Sequence, residues 1–234
     1  MSSGRIIGPK GQTKTGLPRI GQIKTGYKTE SGQPRSTDFF LATGNYSKFF
    51  EEAYGEKPKS IQIVFIDDEP SNSCSERYEY RDKSGALYAY GDGKNFNVWS
   101  ERKEQYIKTN TDERPELMDS IEKKVPSHKF WEITLTLTFV IPRIKLIAGV
   151  WQYSTKGAAS TIPNIRKSFD TMLELNGFVK GVVFDLNVEF QKSQKPNTPS
   201  RFPVVSLVAN ESDDNIKQAK GGIVSVGKQI YSGK

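Results

Sequence analysis

The run FWEITLTLTFVIP, residues 130–142, constrains the fold more than any other part of the chain. Trp131, Ile133, Leu135, Leu137, Phe139 and Ile141 occupy every second position, and Glu132, Thr134, Thr136 and Thr138 fill the alternate ones. Successive side chains of a strand point to opposite faces, so period-two alternation of this length predicts one long, half-buried strand. A strand with one apolar face needs partners along both edges and a second layer over that face. The following RIKLIAGVWQYST can return antiparallel after Pro142-Arg143. Later, Val182, Phe184, Leu186, Val188 and Phe190 alternate against Asp185, Asn187, Glu189 and Gln191, and RFPVVSLVA supplies another strand.

Two stretches read as short helices. In GNYSKFFEEAYGEKPK, Asn45 or Ser47 is the cap, Phe49, Phe50 and Ala53 form an apolar stripe, and Gly55 is the stop. In TIPNIRKSFDTMLELNG, Ser160 or Thr161 caps, Pro163 sits in the first turn, and Ile165, Phe169, Met172 and Leu173 make the inner stripe before Gly177. KSIQIVFIDD reads as a buried strand, and RYEYRDKSGALYAYGDG as a hairpin turning near Lys83–Gly85. The expected class is α+β, with a mostly antiparallel sheet or a partly closed barrel and two short helices. A single domain over residues 17–209 is expected between a flexible basic tail, 1–16, and a flexible polar tail, 210–234. Within it a charged surface excursion or short helix, 101–127, joins possible halves 17–100 and 128–209.

Charge is segregated. Residues 1–36 carry Arg5, Lys10, Lys14, Arg19, Lys24, Lys28 and Arg35 against Glu30 alone, whereas the whole 234-residue chain is only +7. A basic segment on a near-neutral body suits a polyanion, most commonly nucleic acid, because each contacted phosphate releases counterions. The same charge also suits a merely solvated tail. Leu17, Ile20 and Ile23 place regular aliphatics in that segment, so residues 17–40 read as an ordered edge of the domain.

One cysteine, Cys74, and one histidine, His128, exclude an internal disulfide and the usual zinc ligand set. No apolar run is long enough for a membrane span and no leader is recognisable, so the expectation is a cytoplasmic protein without membrane contact. No phosphate loop, dinucleotide fingerprint or hydrolase motif is present, and no cofactor is expected. Asp92 in GDGKNF, with Lys94, suits either a metal or phosphate loop or an ordinary Asp-Gly turn. Asp67, Asp68 and Glu69 suit either metal ligation or a solvated loop.

Aromatic and basic residues interleave elsewhere. Tyr27 stands beside Lys24 and Lys28, Phe39 and Phe40 follow Arg35, Trp99 follows Lys94, and Trp151 and Tyr153 share a strand face with Lys156 close by. Single-stranded DNA is held by such combinations, rings stacking on bases and cations tracking the backbone. The candidate nucleic-acid-binding set is Arg19, Lys24, Tyr27, Lys28, Arg35, Lys94, Trp99, Trp151, Tyr153 and Lys156. Packing of Trp151 and Tyr153 inside the sheet is the competing reading.

LPRIGQIKTGYK, GQPRSTDFFLATG, FFEEAYGEKPKSIQIVF and ALYAYGDGKNF together resemble the phage recombination directionality factors that work with large serine integrases. GVWQYSTKGAASTIPNIRKSFDTMLELNGFVKGVVFDLNVEF and RFPVVSLVA continue the resemblance, which covers roughly residues 17–208. It implies a non-enzymatic factor that binds an integrase on DNA and favours excision. Some relatives carry cysteines of metal-binding type in the middle region; Cys74 and His128 alone do not carry that role over. The leading expectation is therefore a phage or mobile-element DNA-transaction accessory protein. The alternative is a single-stranded DNA-binding protein of replication or recombination, and a third reading is a metal-dependent nuclease or hydrolase centred on Asp67, Asp68 and Asp92. The oligomeric state stays open.

Overall fold

The computed structural model describes residues 17–82, 84–124, 131–145, 148–193 and 200–210. The expected tail at 1–16, the expected tail at 210–234 apart from Asn210, His128 and Lys83 lie outside the described residues. The first hairpin is β1 (Arg19–Lys28) and β2 (Pro34–Thr43), followed by α1 (Ser47–Tyr54), β3 (Ser60–Val64) and the single turn α2 (Pro70–Ser73). A meander follows: β4 (Cys74–Arg81), β5 (Leu87–Gly91), β6 (Asn95–Ser100) and β7 (Gln105–Asn110). Then come α3 (Leu117–Lys124), β8 (Glu132–Phe139), β9 (Val150–Thr155), α4 (Thr161–Asn176), β10 (Val183–Lys192) and β11 (Arg201–Ala209).

Eight strands form one sheet in the order β2-β1-β9-β8-β4-β5-β6-β7, and three form a second, β11-β10-β3. Every pairing is antiparallel except β1 with β9. The class is α+β, as expected, and the large sheet is open, with β2 and β7 at its ends, so the partly closed barrel does not form. Layers cover the apolar face instead of curvature. Over one half of the sheet, Ile23, Phe40, Leu135, Leu137, Phe139, Trp151 and Tyr153 share a core with Ile61, Ile63, Phe184, Leu186, Val205 and Leu207 of the small sheet. Phe65 fixes the junction, its ring 5.1 Å from Phe169 and 5.3 Å from Phe184. Over the other half, α3 sets Leu117 and Ile121 against Tyr80, Ala89 and Phe96.

The alternating run becomes β8, buried on its Leu135, Leu137 and Phe139 face. It bridges the two cores, because Trp131 just before it lies 5.4 Å from Tyr80 and 5.2 Å from Phe96. Both expected helices are present. In α4 the Thr161 hydroxyl does not cap its own helix; it accepts the Val205 N–H at 3.1 Å and ties the helix to β11. Gly177 ends α4 in the left-handed conformation at φ 76°, where a side chain is disfavoured, and its N–H returns to Leu173 O.

Helix α2 adds to the two read from sequence, and α3 is the short helix left open for the charged stretch. The charged excursion holds β7 and α3. Strand β7 escapes the period-two test because it is an end strand, exposed along most of its length, with no apolar face to show. Strand β1 escapes it for a different reason: its glycines are sites of close approach. Gly21 lies opposite Trp151 in register, and a Cβ there would stand 2.3 Å from the Trp151 ring and 2.9 Å from Thr43 O. We expect Gly21→Ala to lower stability by roughly 1–3 kcal/mol through overpacking, read as a drop in the urea midpoint at unchanged m-value.

Candidate nucleic-acid interface

The face of the large sheet opposite the core is polar, and strand register builds it row by row. Ser75 of β4 pairs with Thr136 of β8, which pairs with Ser154 of β9. Arg77 pairs with Thr134, and Glu79 with Glu132. Further along, Thr138 pairs with Gln152, which pairs with Gln22 of β1. These rows enclose a groove of about 700 Å³, closed at one side by Arg19 and at the other by Arg77 and Arg81.

Hydrogen bonds fix most of its wall. Arg19 Nη1 donates to Gln152 Oε1 at 3.3 Å, Gln152 Nε2 donates to Thr138 Oγ1 at 3.4 Å, and the Thr136 and Ser154 hydroxyls share a bond of 3.0 Å. Lys156 is paired with Glu132. Glu79 is 2% exposed, yet charged groups converge on it. Arg77 donates to Oε1 from Nε at 2.8 Å and from Nη2 at 2.6 Å, and Arg81 Nε donates to Oε2 at 2.9 Å. Burial by itself raises the Glu79 carboxyl; the arginine hydrogen bonds more than offset it and hold the group below its ordinary value. Thr134 is the exception in the wall: its hydroxyl oxygen is buried without a hydrogen-bond partner.

Aromatic rings continue the same face. Tyr90 pairs with Glu79, and the Arg77 guanidinium lies 4.8 Å from its ring centroid, a cation–π contact. Tyr90 meets Tyr106 edge-on at 5.2 Å, and Tyr106 meets Trp99 at 5.3 Å. A cationic groove thus leads into three partly exposed rings on one sheet surface.

The sequence-derived residues distribute unevenly over this surface. Arg19 and Lys156 line the groove together, and Trp99 belongs to the aromatic end. Lys24, exposed on β1, is two residues along the strand from Gln22. Tyr27, 53% exposed, pairs with Arg35 at the far end of the β1–β2 hairpin, and Lys28 pairs with Pro34, so these three form a separate basic corner. Lys94 sits in the β5–β6 turn, paired with Asp112 at 3.1 Å. Trp151 and Tyr153 require correction. They are 1% and 2% exposed, packed against Phe50 and Phe40 respectively, because alternation along β9 sends them to the core face while Gln152 and Ser154 face the groove. Stacking on a base from that position is sterically closed.

Sequence reasoning missed Arg77, Glu79, Arg81 and Tyr106. The signal was available in CSERYEYR, where Ser75, Arg77, Glu79 and Arg81 alternate with Tyr78 and Tyr80. The acidic candidates are occupied differently. Asp92 accepts N–H bonds from Lys94 at 2.8 Å and Asn95 at 2.6 Å, the geometry of a turn, and Asn95 accordingly lowers its carboxyl most. Asp68 Oδ1 accepts from Val179 and Lys180 N–H, each at 2.7 Å, and Asp67 accepts from Glu69 N–H at 2.9 Å. Among the described residues no three His, Cys, Asp or Glu side chains converge as metal ligands. Burial pushes the Cys74 thiol up to about 12, outside the range of a ready nucleophile.

A family model described as Gp3-like, recombination directionality factor-like, matches residues 20–210, which takes in both sheets. The chain belongs to the recombination directionality factor-like family. The match agrees with the resemblance read from the sequence, in family and nearly in extent. No curated protein and no solved structure matched the chain. Membership in the recombination directionality factor-like family supports an accessory role in phage DNA transactions. Among the described residues no helix is long and apolar enough to cross a membrane.

Proposed function

We propose that this protein is a non-enzymatic accessory factor that redirects a large serine integrase towards excision. The observation that carries this reading is the family match, which runs through the whole two-sheet body rather than through one short motif. The polar sheet face supports it physically. It is broad, cationic at Arg19, Arg77, Arg81 and Lys156, and rigidly held by strand pairing, which suits work on a DNA-bound complex without a chemical step. The carboxylates once considered for metal chemistry hold turns and loops instead.

Redirection is an allosteric coupling between the factor and the synapse the integrase will accept. Purified protein added to a large serine integrase of the same phage or mobile element is expected to raise recombination of the excisive site pair by about tenfold or more while lowering that of the integrative pair. Unchanged direction on every pairing of attachment sites, with the two proteins shown to be folded, rejects the proposal.

A further inference from the structure

We propose that the groove across β1, β9, β8 and β4 is a phosphodiester-binding seat for single-stranded DNA, whose bases lie on the adjoining rings of Tyr90, Tyr106 and Trp99. The inference is independent of the directionality reading, since a strand-binding face can serve any DNA transaction.

Four observations converge on it. First, the groove is charge-biased: Arg19, Arg77, Arg81 and Lys156 line it with Glu79 as the one lining carboxylate, and Lys156 is ion-paired with Glu132. Second, Thr134 is 7% exposed and its hydroxyl has no partner. A buried hydroxyl left unpaired is costly, and rotation about χ1 lets it meet an oxygen that enters the groove. Third, Glu79 is a positioning residue: it takes Nε and Nη2 of Arg77 and so holds that guanidinium, which lines the groove, in a fixed orientation, while Arg81 is held between Glu79 and the Gly85 carbonyl and adds its charge. Fourth, the rings are in the right place. Tyr90 is two strands from Thr134 in the sheet order, about 10 Å at the usual strand spacing, and all three rings are at least partly exposed.

Single strands fit this surface better than a duplex. Helices α1, α3 and α4 contribute Phe50, Leu117 and Phe169 to the core side, so none of these three projects from the polar face towards a major groove. A flat sheet with cations and rings instead accepts unpaired bases by their π-faces. Phosphate is favoured over the carboxylates of an acidic protein because the groove adds a lining of hydroxyls and amides to its cations, and because stacking rings continue it.

The test uses the full chain with fluorescein-labelled oligothymidylate, followed by anisotropy over a salt series. Binding is expected at low salt and should weaken steeply with added salt. Thr134→Val, which keeps the shape and removes the hydroxyl, should weaken binding about tenfold without lowering the melting temperature. Tyr106→Ala should also cost about tenfold, and Arg19→Gln should flatten the salt slope by about 0.7. Lys167→Ala, on the exposed side of α4, should change nothing. If Thr134→Val melts early, Arg19→Gln decides alone. The proposal is overturned by absence of binding at low salt, by unchanged affinity in both groove variants, by tighter binding of a duplex of equal length, or by displacement with polyglutamate as effective as with unlabelled oligothymidylate.

Discussion

Trp151→Ala is expected to cost about 3–5 kcal/mol of stability, a large share of the ~5–15 kcal/mol that holds a typical domain. The ring is fully buried and lies 6.1 Å from Phe50, so it connects α1 to the large sheet. It also covers Gly21, its register partner on β1, which has no side chain of its own to exclude water. Truncation opens a void bordered by two strands and a helix, and none of these can collapse inward without breaking the parallel β1–β9 pairing. Urea unfolding with circular dichroism measures the change. A midpoint equal to that of the parent, combined with lost DNA binding, would return Trp151 to the stacking role its neighbourhood in the sequence suggested.

The next largest effect is expected at Glu79. Glu79→Ala removes the shared acceptor of Arg77 and Arg81 and leaves two like charges flanking the vacated position on one strand face. The loss should be about 2–3 kcal/mol at neutral pH, in the range of hydrogen bonds to charged groups. It should stay below the cost of breaking a wholly buried pair, because both arginines retain contact with solvent. The pH dependence has a definite sign. The folded carboxyl titrates below its ordinary value, so its contribution is complete above the unfolded value, about 4.3, and disappears as pH falls through the folded one. The gap in stability between the parent and Glu79→Ala should therefore be constant from pH 7 to about 5 and close on further acidification. A gap that widens below pH 5 would mean that the carboxyl is raised, and the arginine pairing would be wrong.

Legibility of the fold followed the strength of one-sided burial. Strands β8 and β10 each have one wet and one dry face, and their alternation is plain in the sequence. Helix α4 combines an inner stripe with a glycine stop, so both ends of it are written locally. Strand β7 has no dry face, and β1 owes its place to Gly21 lying under a ring 130 residues away. The candidate site was legible in fragments. Arg19, Lys156 and Trp99 could be named as basic or aromatic residues of suitable type, but only pairing across β1, β9 and β8 brings the first two to one groove. Arg77 and Arg81 were hidden because Glu79 cancels part of their charge in any sum over the sequence.

The sequence by itself determined the class of the fold, its strongest strands and helices, the family, and the lack of a thiol or histidine set for metal chemistry. Those are properties of periodicity and composition, which a chain carries before it folds. The tertiary structure alone decided which face is wet in the strands whose two faces both carry aromatic or polar candidates, such as β4 and β9. A strand offers two equivalent faces, and only the layer packed against it, here the small sheet with α4 on one half and α3 on the other, selects the dry one. That choice moved Trp151 and Tyr153 from candidate base-stacking residues to the core. Strand pairing brought Thr134, Thr136, Gln152 and Arg77 together in a common polar groove.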